Sequence, residues 1–153
     1  SRQRDRVLLQ LQSLTAQGAC PEADRLLPVW ERFGTDALVV VISDCFDEAC
    51  ASLATRLAGA RRDVAVIQLL TVAERDFPFP EGRRFIDPET GQAMAGDGAS
   101  LRSGFLARFG LAQRELHARF DSAGVRHAVH VLDRPLIEPL RRLFAADASP
   151  GTP

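Results

Sequence analysis

The sequence contains no lysine, no tyrosine and no asparagine, so all nineteen of its cationic side chains are arginine. We read this as the codon bias of a GC-rich, bacterial genome and not as a recognition surface. Against twenty acidic residues the arginines leave a formal net charge of −1. That balance supplies no field favouring nucleic acid or anionic lipid, and neither is expected as a partner. Long apolar runs are also missing. The longest, Ala37 to Ile42, falls far short of the roughly 20 residues a membrane helix needs. No basic-then-apolar signal segment opens the chain, and a cytoplasmic location is the expectation. Cysteine is scarce: Cys20, Cys45 and Cys50 form an odd set without metal-type spacing, read as reduced cytosolic thiols. A Gly-x-Gly-x-x-Gly phosphate loop and a Gly-x-Ser-x-Gly nucleophile elbow are both absent.

What remains is a chain of 153 residues, 46% hydrophobic and 25% charged, enough for one domain with a real core. Val7, Leu8, Leu11 and Leu14 predict an amphipathic helix over residues 3 to 17. Pro21, Glu22 and Asp24 open a second, with Leu26, Leu27, Trp30 and Phe33 on one face and Gly34 as its stop. The β-branched run 37 to 42 does not alternate, which predicts a strand covered on both faces. Residues 47 to 60 read as a helix with Cys50, Leu53, Ala54 and Leu57 inward, followed by a buried strand from Val64 to Leu70. Asp76-Phe77-Pro78-Phe79-Pro80 cannot be regular helix. Arg84-Phe85-Ile86 and Gln92-Ala93-Met94 suggest a small hairpin around Asp87 to Gly91. Ser100 is placed as the cap of a long helix with a Phe105, Phe109, Phe120 core stripe, stopped by Gly124. A strand from Val125 to Leu132 and a helix from Pro135 to Phe144 complete the pattern. The alternation implies an α/β fold, a parallel sheet with right-handed crossovers and helices on both faces. Residues 1 to 146 form a single domain and 147 to 153 a loose tail.

Ligands of such sheets sit at the carboxyl ends of the strands. Asp44 stands there, with Ser43 before it and Asp47 and Glu48 beyond. A carboxylate at this rim suits Mg²⁺, a hard cation that prefers oxygen ligands. The plainer reading is that Asp44 or Asp47 caps the next helix. His127 and His130 differ by an odd number on a strand and point to opposite faces, so the three histidines do not assemble. Cys45 lies near a helix N-terminus, but Asp44, Asp47 and Glu48 oppose a lowered thiol pKa, and it is not read as catalytic. Phe77 and Phe79 stand in the Pro-rich loop, either as a partner contact or folded back over the core.

Several segments resemble the bacterial domain-of-unknown-function 58 family. They are Val39-Val40-Val41-Ile42-Ser43-Asp44, Asp63 to Leu70 with Ala73-Glu74 and Phe77-Pro78-Phe79, Phe85 to Gly91, and Leu132-Asp133-Arg134-Pro135-Leu136 with Leu140. The similarity runs from about residue 7 to 144. That family looks like von Willebrand A domains, whose metal-ion-dependent adhesion site combines Asp-x-Ser-x-Ser, a loop Thr and an Asp after a strand. Asp44 matches the last element. Cys20, in Gly18-Ala19-Cys20-Pro21, stands in place of the threonine, Thr71 where relatives commonly carry aspartate, and no Asp-x-Ser-x-Ser occurs.

The resemblance therefore implies the C-terminal part of a three-layer von Willebrand A or Rossmann-like sandwich, truncated on its N-terminal side, with a hairpin insertion. It also implies an incomplete metal site, and no enzymatic activity. The function implied is that of a protein-interaction module, an adaptor for a MoxR-type AAA+ ATPase. Ser43, Asp44, Asp47, Phe77 and Phe79 are its candidate partner-binding residues. The missing strand would leave the 37 to 43 edge open, so that either the chain is a fragment of a longer protein or the edge is covered by a second copy or by the N-terminal helix. The rival reading is a small hydrolase or phosphotransferase using Asp44 with Mg²⁺.

Overall fold

A computed structural model describes residues 2–15, 24–25, 34, 36–80, 83–86 and 91–144. Most of the expected helix from Pro21 to Gly34, the Asp87–Thr90 part of the hairpin turn, Cys20 and the 147 to 153 tail lie outside the described residues. The chain is mixed α/β. Its elements are α1 (Arg2–Gln12), β1 (Leu38–Ser43), α2 (Glu48–Gly59), β2 (Asp63–Leu70), α3 (Val72–Asp76), β3 (Arg83–Ile86), β4 (Ala93–Gly96), α4 (Gly98–Ala123), β5 (Arg126–Val131) and α5 (Ile137–Phe144). Strands β1, β2 and β5 form a parallel sheet with β2 in the middle, and β3 and β4 form a separate antiparallel hairpin.

The apolar run of β2 is buried nearly throughout, because each face meets a helix. On one side Val64 and Val66 pack with Cys50, Leu53, Ala54 and Leu57 of α2 and with Phe120 of α4. On the other, Ala65 and Ile67 pack with Ala128 of β5 and Leu143 of α5. Arg126 ties α5 to the sheet. Its guanidinium donates to the Leu143 carbonyl at 2.8 Å and to both Asp63 oxygens at 2.7 and 2.8 Å, and lies over the Phe144 ring.

The structure corrects the expectation that β1 is covered on both faces. Val39 and Val41 pack on the core shared with α2, but Leu38, Val40 and Ile42 are exposed, Ile42 by 62%. The reason is positional. Among the described residues strand β1 is at the edge of the sheet, and the second-face core formed with α5 draws on β2 and β5. A continuous β-branched run reports apolarity on both faces, and cannot report whether a layer exists to cover them.

Local signals decide the boundaries. The long helix begins earlier than expected: Asp97, not Ser100, is its N-cap, accepting from Ala99 N and Ser100 N at 3.2 Å each. Gly98 is required beside it, since a Cβ there would collide with the Phe79 and Pro80 carbonyls. Gly124 closes α4 in the left-handed conformation (φ 71°), which glycine adopts without steric cost. Thr71 caps the short α3, which the sequence reading did not anticipate. Its Oγ1 accepts from Glu74 N at 3.1 Å while the Glu74 carboxylate accepts from Thr71 N at 2.6 Å, a reciprocal capping box.

Candidate functional site at the carboxyl rim of the sheet

Strand β1 delivers Ser43, Asp44 and Cys45 to the rim, and a set of hydrogen bonds fixes the turn that follows. The Ser43 hydroxyl accepts from Cys45 N at 3.0 Å, and the exposed Asp44 carboxylate accepts from Phe46 N at 3.2 Å. Cys45 is held at φ 59°, a left-handed conformation that a side chain disfavours. From the neighbouring strand Gln68, 1% exposed, donates from Nε2 to the Asp44 carbonyl at 2.9 Å. Sequence reasoning missed Gln68. Its signal was present as the one uncharged polar residue inside the apolar run of β2, since a buried amide needs partners. Asp47 is a helix cap: it is the N-cap of α2 and accepts from Ala49 N at 2.8 Å.

The histidines part company as expected on β5 and come together where they were not expected to. His130 is buried on the α5 side of the sheet, and its Nδ1 has no hydrogen-bond partner among the described residues. His127 is on the opposite face, where its ring lies 4.7 Å from that of His117 on α4. His117 Nε2 is 3.3 Å from Gln68 Oε1, so a polar chain runs from the His127–His117 pair through Gln68 to the Asp44 backbone. Burial, and then the neighbouring His127, hold the His117 pKa below the usual histidine value, with Asp121 opposing. The sequence could not show this pair, because the residues sit on different elements.

The loop aromatics also resolve into roles. Phe77 is buried, its ring stacked 4.5 Å from Phe105 and 5.6 Å from Phe85. It therefore belongs to the folded-back arrangement and is not presented to a partner. Phe79, half-buried, stands edge-on to Phe77 at 4.9 Å. The exposed aromatic at the rim is Phe46, 54% accessible and edge-on to Phe109 at 6.3 Å. Sequence reasoning passed over it.

Beside the rim, between α2 and α4, lies a cavity of about 390 Å³ lined among others by Cys45, Phe46, Ala51, Phe109, Leu116 and Arg119. Arg119 and Glu48 both line it, and the Arg119 guanidinium donates to Glu48 at 2.6 Å and to the Ser52 hydroxyl at 3.1 Å. That guanidinium lowers the Glu48 pKa. Cys45, which lines the cavity, and Cys50 are both buried and free, with their sulfurs 3.9 Å apart. Among the described residues no group of three or more His, Cys, Asp or Glu is placed to hold a metal ion, and no helix is long and apolar enough to cross a membrane.

Comparison with protein-family models, curated proteins and solved structures gives no match. The fold and rim thus define a class by themselves: a small α/β protein with a helix-clad parallel sheet, one apolar edge strand and a polar turn at its carboxyl end.

Proposed function

We propose that this chain is a non-catalytic protein-interaction module of the von Willebrand A type, related to the domain-of-unknown-function 58 family. The partner covers the apolar face of β1 and touches the rim at Ser43, Asp44 and Asp47, with Phe46 replacing Phe77 as the exposed ring. The single observation that carries this reading is the uncharged edge strand with Leu38, Val40 and Ile42 outward. Such a surface combines an apolar patch with a strand that, among the described residues, is paired on one side only, and both are satisfied by another polypeptide. The motif resemblance supplies the partner class, a MoxR-type AAA+ ATPase.

The test is direct binding of the chain to a purified MoxR-type ATPase by interferometry, comparing wild type with Ile42→Arg and Asp44→Ala. The reading expects binding that Ile42→Arg reduces at least about tenfold, equivalent to about 1.4 kcal/mol. Binding that ignores Ile42→Arg would remove the β1 face from the proposal. Phosphatase or esterase turnover abolished by Asp44→Ala would favour the hydrolase reading. A thermal midpoint unmoved by millimolar Mg²⁺ would argue against a competent metal site in this chain.

A further inference from the structure

The geometry points to Cys45 and Cys50 as a peroxide-responsive thiol pair that closes to an intrachain disulfide and pins the Asp44 turn to the first turn of α2. The inference is independent of the protein-binding reading. Its basis is position. Cys45 lies within the strand-to-helix turn and Cys50 in the first turn of α2. The turn between them is drawn in by Asp47 capping α2, by Ser43 accepting from Cys45 N, and by Gln68 holding the Asp44 carbonyl. The sulfurs are left 3.9 Å apart, in contact but unbonded, and a disulfide needs about 2.05 Å, a closure within reach of side-chain rotation.

Access and reactivity agree with this. Cys45 lines the 390 Å³ cavity, which admits a molecule the size of hydrogen peroxide. The hydrogen bond from Cys45 draws the Cys50 thiol down to about 6, against burial, while the same bond, burial and the Cys50 charge push Cys45 up. The proton is exchangeable between the sulfurs, so the pair as a unit loses its first proton readily and its second with difficulty. The helix N-terminus at Cys50 acts in the same direction as the first loss.

The chemistry balances with hydrogen peroxide as the oxidant. A thiolate of the pair attacks one peroxide oxygen and the O–O bond breaks, giving a sulfenic acid and hydroxide, which takes up a proton to leave as water. The second sulfur, as thiolate, attacks the sulfenic sulfur. The S–S bond forms and the S–O bond breaks, releasing a second water. In sum, two thiols and one peroxide become one disulfide and two waters.

The experiment treats the whole chain, with Cys20→Ser in the background, with dilute hydrogen peroxide, then alkylates and digests it with trypsin. No arginine lies between Phe33 and Thr55, so both sulfurs fall in one peptide. The expected product is that peptide lighter by two hydrogens, unalkylated and restored by a reductant. Oxidation at neutral pH should run about two- to threefold faster than for an ordinary protein thiol, because the larger thiolate fraction is partly offset by the lower nucleophilicity of a more acidic thiol. Cys45→Ser and Cys50→Ser should each stop at a sulfenic acid trapped by dimedone. Amide exchange from Cys45 to Ala49 should slow in the oxidised protein. Stable sulfinic acid on either residue of the Cys20→Ser chain, without the disulfide, would overturn the inference, as would a disulfide only between chains.

Discussion

At the rim, single side chains act on backbone more than on one another. Gln68 spends both ends of its amide, one on the Asp44 carbonyl and one on His117, and so couples the turn to the state of a histidine. The sign of that coupling follows from the direction of the shift. Burial, and then His127, lower the His117 pKa in the folded chain. A depressed histidine pKa contributes stability that is complete above the unfolded value of about 6.5 and is lost as pH falls through the lower folded value. The thermal midpoint should therefore drop as pH falls below about 6.5, and His117→Gln should flatten that part of the curve. Unfolding monitored by circular dichroism across this range checks it, and an identical slope in the variant contradicts it.

Among the elements, β2 is the best determined, because two helix layers close over it. Helix α2 depends on its start: Asp47 satisfies Ala49 N and is followed by Glu48 in the first turn, the end where negative charge is favoured. Asp47→Ala should cost about 1 kcal/mol of stability by removing that acceptor. Denaturant unfolding reads it, and the cost should be recovered largely by Asp47→Ser, which also caps. The boundaries of these elements were legible where a cap or a glycine stop was written locally, as at Asp47 and Gly124. They were misjudged where two acceptable caps stood close together: Ser100 was preferred, but Asp97 has two oxygens and accepts from two amides. Helix α3 escaped notice because its five residues run directly into the Pro-rich segment.

For the molecule as a whole, the two faces of the sheet are unequal. One is sealed by α2 and α4. The other is covered over β2 and β5 by α5 and exposes Leu38, Val40 and Ile42 of β1, while Leu136 just before α5 and Ile137 and Leu140 within it are exposed. An edge strand of this composition is prone to pair with another strand. Light scattering coupled to size exclusion should show concentration-dependent self-association of the isolated chain, and Ile42→Arg should return it to monomer. A wild-type monomer at all concentrations, with rapid amide exchange at residues 39 to 42, would contradict it. The sequence by itself determined the strands β1, β2 and β5 and the helices α2, α4 and α5, that β2 is central in apolarity, and that Asp44 follows a strand, because periodicity and end signals are carried within a few neighbouring residues. Only the tertiary structure decided that Phe77 turns inward, that His117 meets His127, that Gln68 holds the Asp44 turn, and that one face of β1 stays open. Each of these depends on which distant element lies alongside, and short-range patterns carry no record of that.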